Sequence, residues 1–441
     1  MVMINRHFRQ FSLGVFALFL LGGKGYTQVS ASDSLELVPL IGKVIKTYPT
    51  VQQAAETLNA ADLKIALARL AYLPSSHISG SFAHIGPVPS LTLPDVGSFS
   101  LAPVNNVNTE LIINQTITDF GKTKKNIEYE EKSKELSSVG IGQVKQKMSL
   151  AVIGCYYNML YFQEAIAIKE EQISTLREHL KNVEKKAVTG SATQYEILST
   201  KVRISTVESQ KTDVFTSLNF QNSYLNMLLG EPVSIQHRVR NLLHIDLISF
   251  SEDSLISIAL SNRNELKISE KKMMLSQAYQ DLVKKRGNPV LSAFASGGWR
   301  NGYIPELDKL KANFAIGLNV IIPIFDAKGI NLISQLAGSS ILSNSYEVDL
   351  TKRTIANEVM ESINALKAAI SKSELFDLQL SLSKKTLELA VLKYKSGTLT
   401  NLDLLDSEND VAESSLMLLK ARIERVVIAY KLKAALGMNL Y

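Results

Sequence analysis

Few residues in this sequence have the types and spacing that chemistry on a substrate requires. Gly121-Lys122-Thr123 resembles the end of a phosphate-binding loop, but Thr116 stands where that loop needs its first glycine. The sequence contains no Gly-x-Ser-x-Gly elbow and no His-x-x-x-His spacing. We therefore predict no catalytic residue, no cofactor and no metal site, and interpret the protein as a non-enzyme. The histidines considered are His77, His84, His179, His237 and His244.

Carboxylates placed just after two glycines are the more informative group. Asp403 and Asp406 follow Gly397 and lie at the start of a predicted helix, and Glu196 follows Gly190 in the same way. A carboxylate in the first turn of a helix offsets the positive end of the helix dipole, which is an ordinary structural role. Any further role depends on what the two turns bring together.

The segment 394–406 predicts a tight break between two long helices. Gly397 can adopt the positive φ that ends a helix, and Thr400 or Asn401 can cap the next one. The same pattern surrounds Gly190, at an offset of 397 − 190 = 207, and the leucines at 405 and 198 again differ by 207. The sequence therefore indicates a duplicated unit that is folded about two such turns.

The N-terminal segment is typical of a secretory signal. Arg6 and Arg9 precede an apolar run at 11–21, and Val29-Ser30-Ala31 forms a small-residue cleavage site. We predict a signal peptide at 1–31, cut after Ala31; an uncleaved membrane anchor is the alternative, which the shortness of the run disfavours. The net charge of +6 is spread along the chain, unlike a nucleic-acid footprint. Cys155 is the only cysteine and falls on an apolar seam, so we interpret it as a core residue.

The rest of the chain alternates between helical and strand periods. We predict a first helix–hairpin–helix repeat at 32–230, a linker at 231–252, and a second repeat at 253–441. Over 148–183 apolar residues recur every 3.5 residues, with Lys169 filling one position, which is typical of a coiled coil. The helix over 121–187 would be roughly 100 Å long. One continuous helix is also predicted over 255–286.

Each half supplies one predicted hairpin, with strands near 78–84 and 109–113, then 290–299 and 312–322. In the last of these, Phe314, Ile316, Leu318 and Val320 alternate with small or polar residues. Four strands cannot close a barrel, because about eight is the smallest closed form. If the hairpins enter a membrane, several chains must contribute; the same alternation also fits a soluble sheet.

In order and spacing, these features resemble the TolC family of outer membrane efflux channels over essentially the whole mature chain. Leu73-Pro74 precedes the first strand, the segment 115–121 matches the family's strand-to-helix junction, and 322–329 is its partner. Gly190 and Gly397 stand where the family's coiled-coil hairpins reverse. The helix–strand junction residues are Pro74, Asp119, Gly121, Pro289, Pro323 and Asp326.

The resemblance implies an α+β membrane protein in which a homotrimer builds a β-barrel of about 12 strands, four from each chain. A long coiled-coil α-helical barrel would continue it from the outer membrane into the periplasm. The protein would be the exit duct of a tripartite efflux pump or type I secretion system. Its partners would be a periplasmic adaptor, an inner-membrane pump or ABC exporter, and outer membrane lipid. Drug, protein and metal export all stay open, as do the identities of the pump and adaptor.

The resemblance also assigns roles at the turns. Asp403 and Asp406 match the paired aspartates that ring the family's narrowest constriction, where they would attract cations. Tyr394 and Glu196 match residues that hold the hairpin closed, but Leu399 replaces the expected arginine, so the ion-pair lock is predicted to be absent. We expect closure by packing of Leu399 and Leu402. The adaptor is expected to dock at the two turns, at Gly190, Ser191, Ala192, Thr193, Gly397, Thr398, Leu399 and Thr400.

Two other readings remain. An exported coiled-coil scaffold or adaptor would have charged residues on both faces of its strands, which the alternation over 314–320 disfavours. A surface-binding protein could use the Pro-rich loop at 87–103 as a contact site, although in an outer membrane channel that loop would cap the outer mouth.

Overall fold

The computed structural model describes residues 34–95, 97–243, 251–326 and 328–440. The predicted signal peptide with Ala31, and His244, lie outside these residues, as does part of the predicted linker. The helices are α1 (Leu37–Thr47), α2 (Pro49–Leu70), α3 (Lys122–Val188), α4 (Gln194–Leu229), α5 (Glu252–Asn262), α6 (Asn264–Lys285), α7 (Gly329–Lys395) and α8 (Asn401–Ala435). The strands are β1 (Ser75–His84), β2 (Ser90–Leu93), β3 (Gly97–Ser100), β4 (Asn105–Thr118), β5 (Val290–Arg300) and β6 (Lys311–Ile321).

The two predicted hairpins join into one antiparallel sheet with the strand order β1-β4-β5-β6. Gly298 allows the central pairing of β4 with β5, because a Cβ atom there would lie 1.9 Å from the carbonyl oxygen of Thr109. Phe314 and Ile316 on β6 are 84% and 80% exposed, so the predicted apolar alternation faces outward. β1 and β6 form the two edges of this sheet.

The Pro-rich loop at 87–103 contains structure that the sequence did not predict. β2 and β3 pair as a separate two-stranded hairpin, with Leu91 opposite Phe99 and Thr92 opposite Ser98. Leucine alternates with serine or threonine in β2, and glycine or phenylalanine alternates with serine in β3, but each run is only four residues long. Such short runs fall below the length at which a period-2 pattern is distinctive.

The long helices pack along the apolar face that the 3.5-residue repeat over 148–183 predicted. Val152, Cys155 and Met159 are at most 2% exposed, in a cluster that also includes residues of α1, α4 and α8. Each fully buried residue of this kind contributes about 1.5–3 kcal/mol. Lys169 is also buried, and its ammonium donates hydrogen bonds to Gln172 and Gln210 at 3.2 and 2.8 Å. None of the described helices is both long and apolar enough to span a bilayer.

The helix predicted over 255–286 is wrong in one respect, because it breaks at Arg263. That residue adopts φ −59° and ψ 126°, which separates α5 from α6. Its guanidinium is nearly buried and pairs with Glu265 at 2.8 Å and Glu358 at 2.6 Å, while Nη1 donates to the Ala435 carbonyl at 3.3 Å. These contacts hold the break against α7 and the end of α8.

The strand-to-helix junctions are built around two aspartates. Asp119 accepts hydrogen bonds from the backbone N–H groups of Thr123 (2.6 Å) and Gly121 (3.1 Å), and Asp326 accepts from that of Ile330 (2.7 Å). Burial alone would raise the pKa of Asp119, but the hydrogen bonds, chiefly with Thr123, outweigh burial and lower it. Both carboxylates therefore satisfy the free N–H groups that begin α3 and α7.

Three prolines lie at junctions between helices and strands. Pro74 and Pro289 directly precede β1 and β5, and Pro323 follows β6. Proline has no backbone N–H to donate to a ladder, so it is tolerated at the boundary of a strand. Residues 231–243 contain no helix, and Val239 bridges Leu35 ahead of α1. The division into two repeats and a linker stays a prediction.

Candidate functional site: the two helical turns

Both predicted turns reverse the chain by the same local structure. Gly190 and Gly397 each adopt φ of 76°, the left-handed conformation that the sequence predicted. Thr193 and Thr400 then cap α4 and α8, each within a capping box. In such a box the threonine hydroxyl accepts from a backbone N–H, and an acidic side chain three residues on accepts from the threonine N–H.

The acidic partners in these capping boxes are two of the predicted gate residues. Asp403 Oδ2 accepts from the Thr400 hydroxyl at 2.6 Å and from its N–H at 3.3 Å. Glu196 Oε1 accepts from the Thr193 N–H at 3.4 Å. Asp403 remains exposed to solvent, so capping leaves its charge available to the surrounding water.

Asp406 forms an ion pair that the sequence reasoning missed. Its carboxylate lies 2.5 Å from Nη2 of Arg203, which joins α8 to α4. The side chains are 58% and 27% exposed. The predicted absence of a lock concerned a base at position 399, where leucine stands, and it stays a prediction; the Arg203–Asp406 pair joins the two hairpins at a different place. Nothing in the local sequence places Arg203 opposite Asp406, since the two are 203 residues apart.

Tyr394 and Glu196 contact each other across the two hairpins. The Tyr394 hydroxyl donates to Glu196 Oε2 at 3.3 Å, which connects α7 to α4. Burial, and then the charge of Glu196, raise the pKa of Tyr394 to about 12, so the hydroxyl keeps its proton and stays a donor. The ammonium of Lys186 on α3 stands 4.3 Å from the centroid of the same ring. Glu196 thus caps its own helix and also accepts a hydrogen bond from the other hairpin.

A buried polar contact between α3 and α8 completes the tip. His179 Nε2 lies 2.6 Å from Asn401 Oδ1, and the Asn401 amide donates to Ser199 (3.3 Å) and Thr200 (3.4 Å) of α4. The first residue of α8 therefore touches both helices of the other hairpin. The available sequence signal was spacing, because His179 lies three residues after Leu176 on the buried face of α3.

The predicted leucine plug is only half formed within one chain. Leu399 is half buried and Leu402 is 48% exposed, so any closure by these two side chains requires other copies. Around them, Ser191, Thr193 and Thr398 are exposed at the ends of the turns. Within the described residues, no group of three or more His, Cys, Asp or Glu side chains could hold a metal ion.

Comparison with known proteins gives a consistent result over almost the whole chain. The model of a family described as "Outer membrane efflux protein" matches residues 40–231 and 255–438. Nodulation protein T of Rhizobium leguminosarum bv. trifolii is 21% identical over 88% of this chain and 82% of its own. Outer membrane protein TolC of Salmonella enteritidis is 19% identical over 94% of this chain and 84% of its own.

Solved structures show the same fold. A crystal structure of CusC, a protein studied for its folding and transmembrane channel formation, superposes with a TM-score of 0.76 at 18% identity. The superposition covers 92% of this chain and 93% of that one. The arrangement of long helices below a four-stranded sheet is therefore shared with a protein of very different sequence.

Proposed function

The chain belongs to the outer membrane efflux protein family, and from that membership we propose that three copies assemble into a single exit duct. The protein is an outer membrane channel of the TolC type, through which exported substances leave the cell. Three chains, each with four strands, would close a barrel of about 12 strands, with the helices forming a tube below it. The duct itself consumes no nucleotide in this proposal, and an inner-membrane partner supplies the energy.

The open four-stranded sheet carries the proposal. β1 and β6 are edges, and an unpaired edge in lipid costs several kcal/mol for each unsatisfied backbone group. The outward side chains of β6, such as Phe314 and Ile316, are strongly exposed in a single chain. Pairing β6 of one copy with β1 of the next would remove both edges and leave the apolar face toward lipid.

An exposed leucine stripe on α7 supports assembly through the helices as well. Five leucines recur at steps of three, four and seven residues, and between 54% and 66% of each is exposed. This is a heptad seam without a partner helix among the residues that the structure describes. We infer that a neighbouring copy packs against it. The stripe consists of Leu375, Leu378, Leu382, Leu389 and Leu392.

Duplication accounts for the pairing of like elements. α3 and α7 each have 67 residues, and α4 and α8 have 36 and 35. Both long helices begin with a capping aspartate, and both following helices begin with a threonine capping box. We propose that the two halves arose from one unit, so that three chains give a tube with six quasi-equivalent hairpins.

The helical turns form the gate in this proposal. Around a trimer, Asp403 and Asp406 would form an acidic ring, and Leu399 and Leu402 would pack above or below it. Arg203 neutralises Asp406 within each chain, so Asp403 supplies most of the uncompensated charge. Opening requires the Tyr394–Glu196 and Arg203–Asp406 contacts to break, and both are partly solvated and weak.

The partners follow from the position of the turns. We propose that a periplasmic adaptor docks at Gly190, Ser191, Gly397 and Thr398, and that an inner-membrane pump or ABC exporter lies beyond it. These four residues are exposed to solvent at the ends of the turns, where an adaptor can reach them. An adaptor bound there would act directly on the Tyr394–Glu196 and Arg203–Asp406 contacts, because Glu196 and Asp406 lie within three helical turns of the docking residues.

Oligomer mass tests the assembly. The detergent-solubilised chain is expected to run as a trimer, and Leu378→Glu with Leu382→Glu should shift it toward monomer because two charges enter an apolar seam. Gln379→Glu with Ser381→Glu adds the same two charges at exposed positions of the same helix while keeping all five leucines, and this control should stay trimeric. A wild-type chain that is monomeric in detergent and in lipid nanodiscs would refute the proposed duct and favour the alternative of an exported scaffold.

A further inference from the structure

Glu408 lies on α8, between two cavities in the helical tip. The larger cavity, of about 640 Å³, opens toward the turns and is lined by Tyr394, Leu404 and His179, among others. The smaller, of about 190 Å³, lies on the side away from the turns and is lined by Glu171, Gln172 and Lys384, among others. Glu408 contributes to the wall of both, at the place where α3, α7 and α8 meet.

The surroundings of the Glu408 carboxyl group disfavour its ionised form. Its Oε2 atom is inaccessible to solvent and has no hydrogen-bond partner among the described residues. Burial is the cause that raises its pKa from 4.5 to about 7. An ionised carboxylate in such a site is costly, whereas a neutral acid is tolerated.

The charged groups that face this region do not relieve that cost. α3 contributes Glu171 and Glu178, which supply no positive charge, and α7 contributes Lys384 and Lys395, which are exposed to solvent. None of the facing cations forms an ion pair with Glu408 among the described residues. The remaining titratable groups that line the cavities are His179, Lys185, Lys186 and Tyr394.

We propose that Glu408 is a protonation-dependent gating residue, held as a neutral acid in the closed tip, whose ionisation loosens α8 from α3. The proposal rests on the gate described above. Loosening α8 acts directly on two contacts of the tip, because Asn401 and Asp406 lie on the same helix within two turns of Glu408 and contact His179 and Arg203. A displaced α8 would break both contacts at once.

The direction of the pH effect follows from the pKa. A carboxyl group with a raised pKa in the closed state favours closure fully below its ordinary value of 4.5. That preference is lost progressively as the pH rises through about 7. If the open tip hydrates the group completely, the balance between closed and open shifts toward open by at most about 300-fold over this range. Partial solvation in the closed state would reduce the factor.

The test compares the full chain with Glu408→Gln, which keeps the shape of the side chain but cannot ionise. Open probability in planar bilayers is measured from about pH 5.5 to about pH 8.5, a range that brackets the pKa. The wild type is expected to open with rising pH, with a midpoint near 7, and Glu408→Gln is expected to stay at the low-pH level. Glu171→Gln, which removes an exposed carboxylate from the smaller cavity, should behave as the wild type.

A second readout separates failure of the switch from failure of the duct. The thermal unfolding temperature of the wild type should fall relative to that of Glu408→Gln as the pH rises, whether or not channels form. Channels whose pH dependence persists in Glu408→Gln would overturn the proposal. Absence of channels would overturn the proposed function. If, in addition, the difference in unfolding temperature between the wild type and Glu408→Gln does not change with pH, the proposed role of Glu408 is overturned as well.

Discussion

At the scale of single residues, the tip is held by contacts that are individually weak. Tyr394 and Arg203 each join one hairpin to the other through a group that water can reach. An intramolecular hydrogen bond contributes about 0.5–1.5 kcal/mol net, and an exposed ion pair contributes about 0–1 kcal/mol. Contacts of this size can hold a gate shut and still give way when a partner binds.

Replacing Tyr394 by phenylalanine tests this weakness. The hydroxyl donor to Glu196 is lost while the ring remains, so the fraction of open channels should rise about 2- to 10-fold, as the bond's net free energy implies. Single-channel open probability measures the change. Tyr195→Phe is the matched control, because that side chain is 69% exposed and its hydroxyl has no hydrogen bond within the described chain. Equal effects of the two variants would show that the Tyr394–Glu196 bond does not hold the tip.

Cys155 provides a test of core packing. Its thiol is 2% exposed, and burial raises its pKa to about 12, so neither access nor thiolate is available near neutral pH. We expect no reaction of the folded protein with a maleimide over hours, and full reaction in denaturant. Ser191→Cys, placed on the exposed turn, should be labelled quickly under the same conditions. Rapid labelling of Cys155 in the folded trimer would contradict the predicted seam.

Residue types predicted the turns well and the cross-links poorly. Gly190 and Gly397, with a threonine three residues later, define their own local geometry, which is why positive φ and capping were predictable. Arg203–Asp406 and His179–Asn401 join residues about 200 positions apart. Their pairing depends on the relative rotation of packed helices, and one sequence does not specify that rotation.

At the scale of elements, periodicity predicted which faces are buried. The 3.5-residue repeat of α3 identified the seam, and the period of two identified the outward face of β6. The break between α5 and α6 was missed, because Asn262-Arg263-Asn264 contains neither proline nor glycine. Arg263 makes the break through contacts to distant helices, which a local pattern does not contain.

Arg263→Met should therefore destabilise the folded chain more than the loss of an exposed ion pair would. The guanidinium is nearly buried and contacts two carboxylates and the Ala435 carbonyl, but the two acidic side chains are 32% and 42% exposed. We expect a loss of about 1–3 kcal/mol in the free energy of unfolding. Urea unfolding measures it. Arg353→Met, which removes an exposed pair with Asp349, should change stability by less than about 0.5 kcal/mol.

At the scale of the whole molecule, one chain leaves its most apolar surfaces uncovered. The outward face of β6 and the leucine stripe of α7 are both exposed, and the four-stranded sheet ends in two open edges. Exposed patches of this extent mark surfaces for partners or lipid. The family fold, its location in the outer membrane and these surfaces together support a duct made of several chains, with the gate at the end farthest from the sheet.

Planar-bilayer recording of the purified chain, with its oligomer mass determined beside it, tests that duct most directly. We predict a trimer with small currents that prefer cations. Asp403→Asn should reduce the cation preference more than Asp406→Asn does, because Arg203 already pairs with Asp406. Asparagine keeps an oxygen for the Thr400 cap, so folding should be preserved. A soluble monomer that never inserts would contradict the account, as would a channel whose ion preference is unchanged when Asp403→Asn and Asp406→Asn are combined.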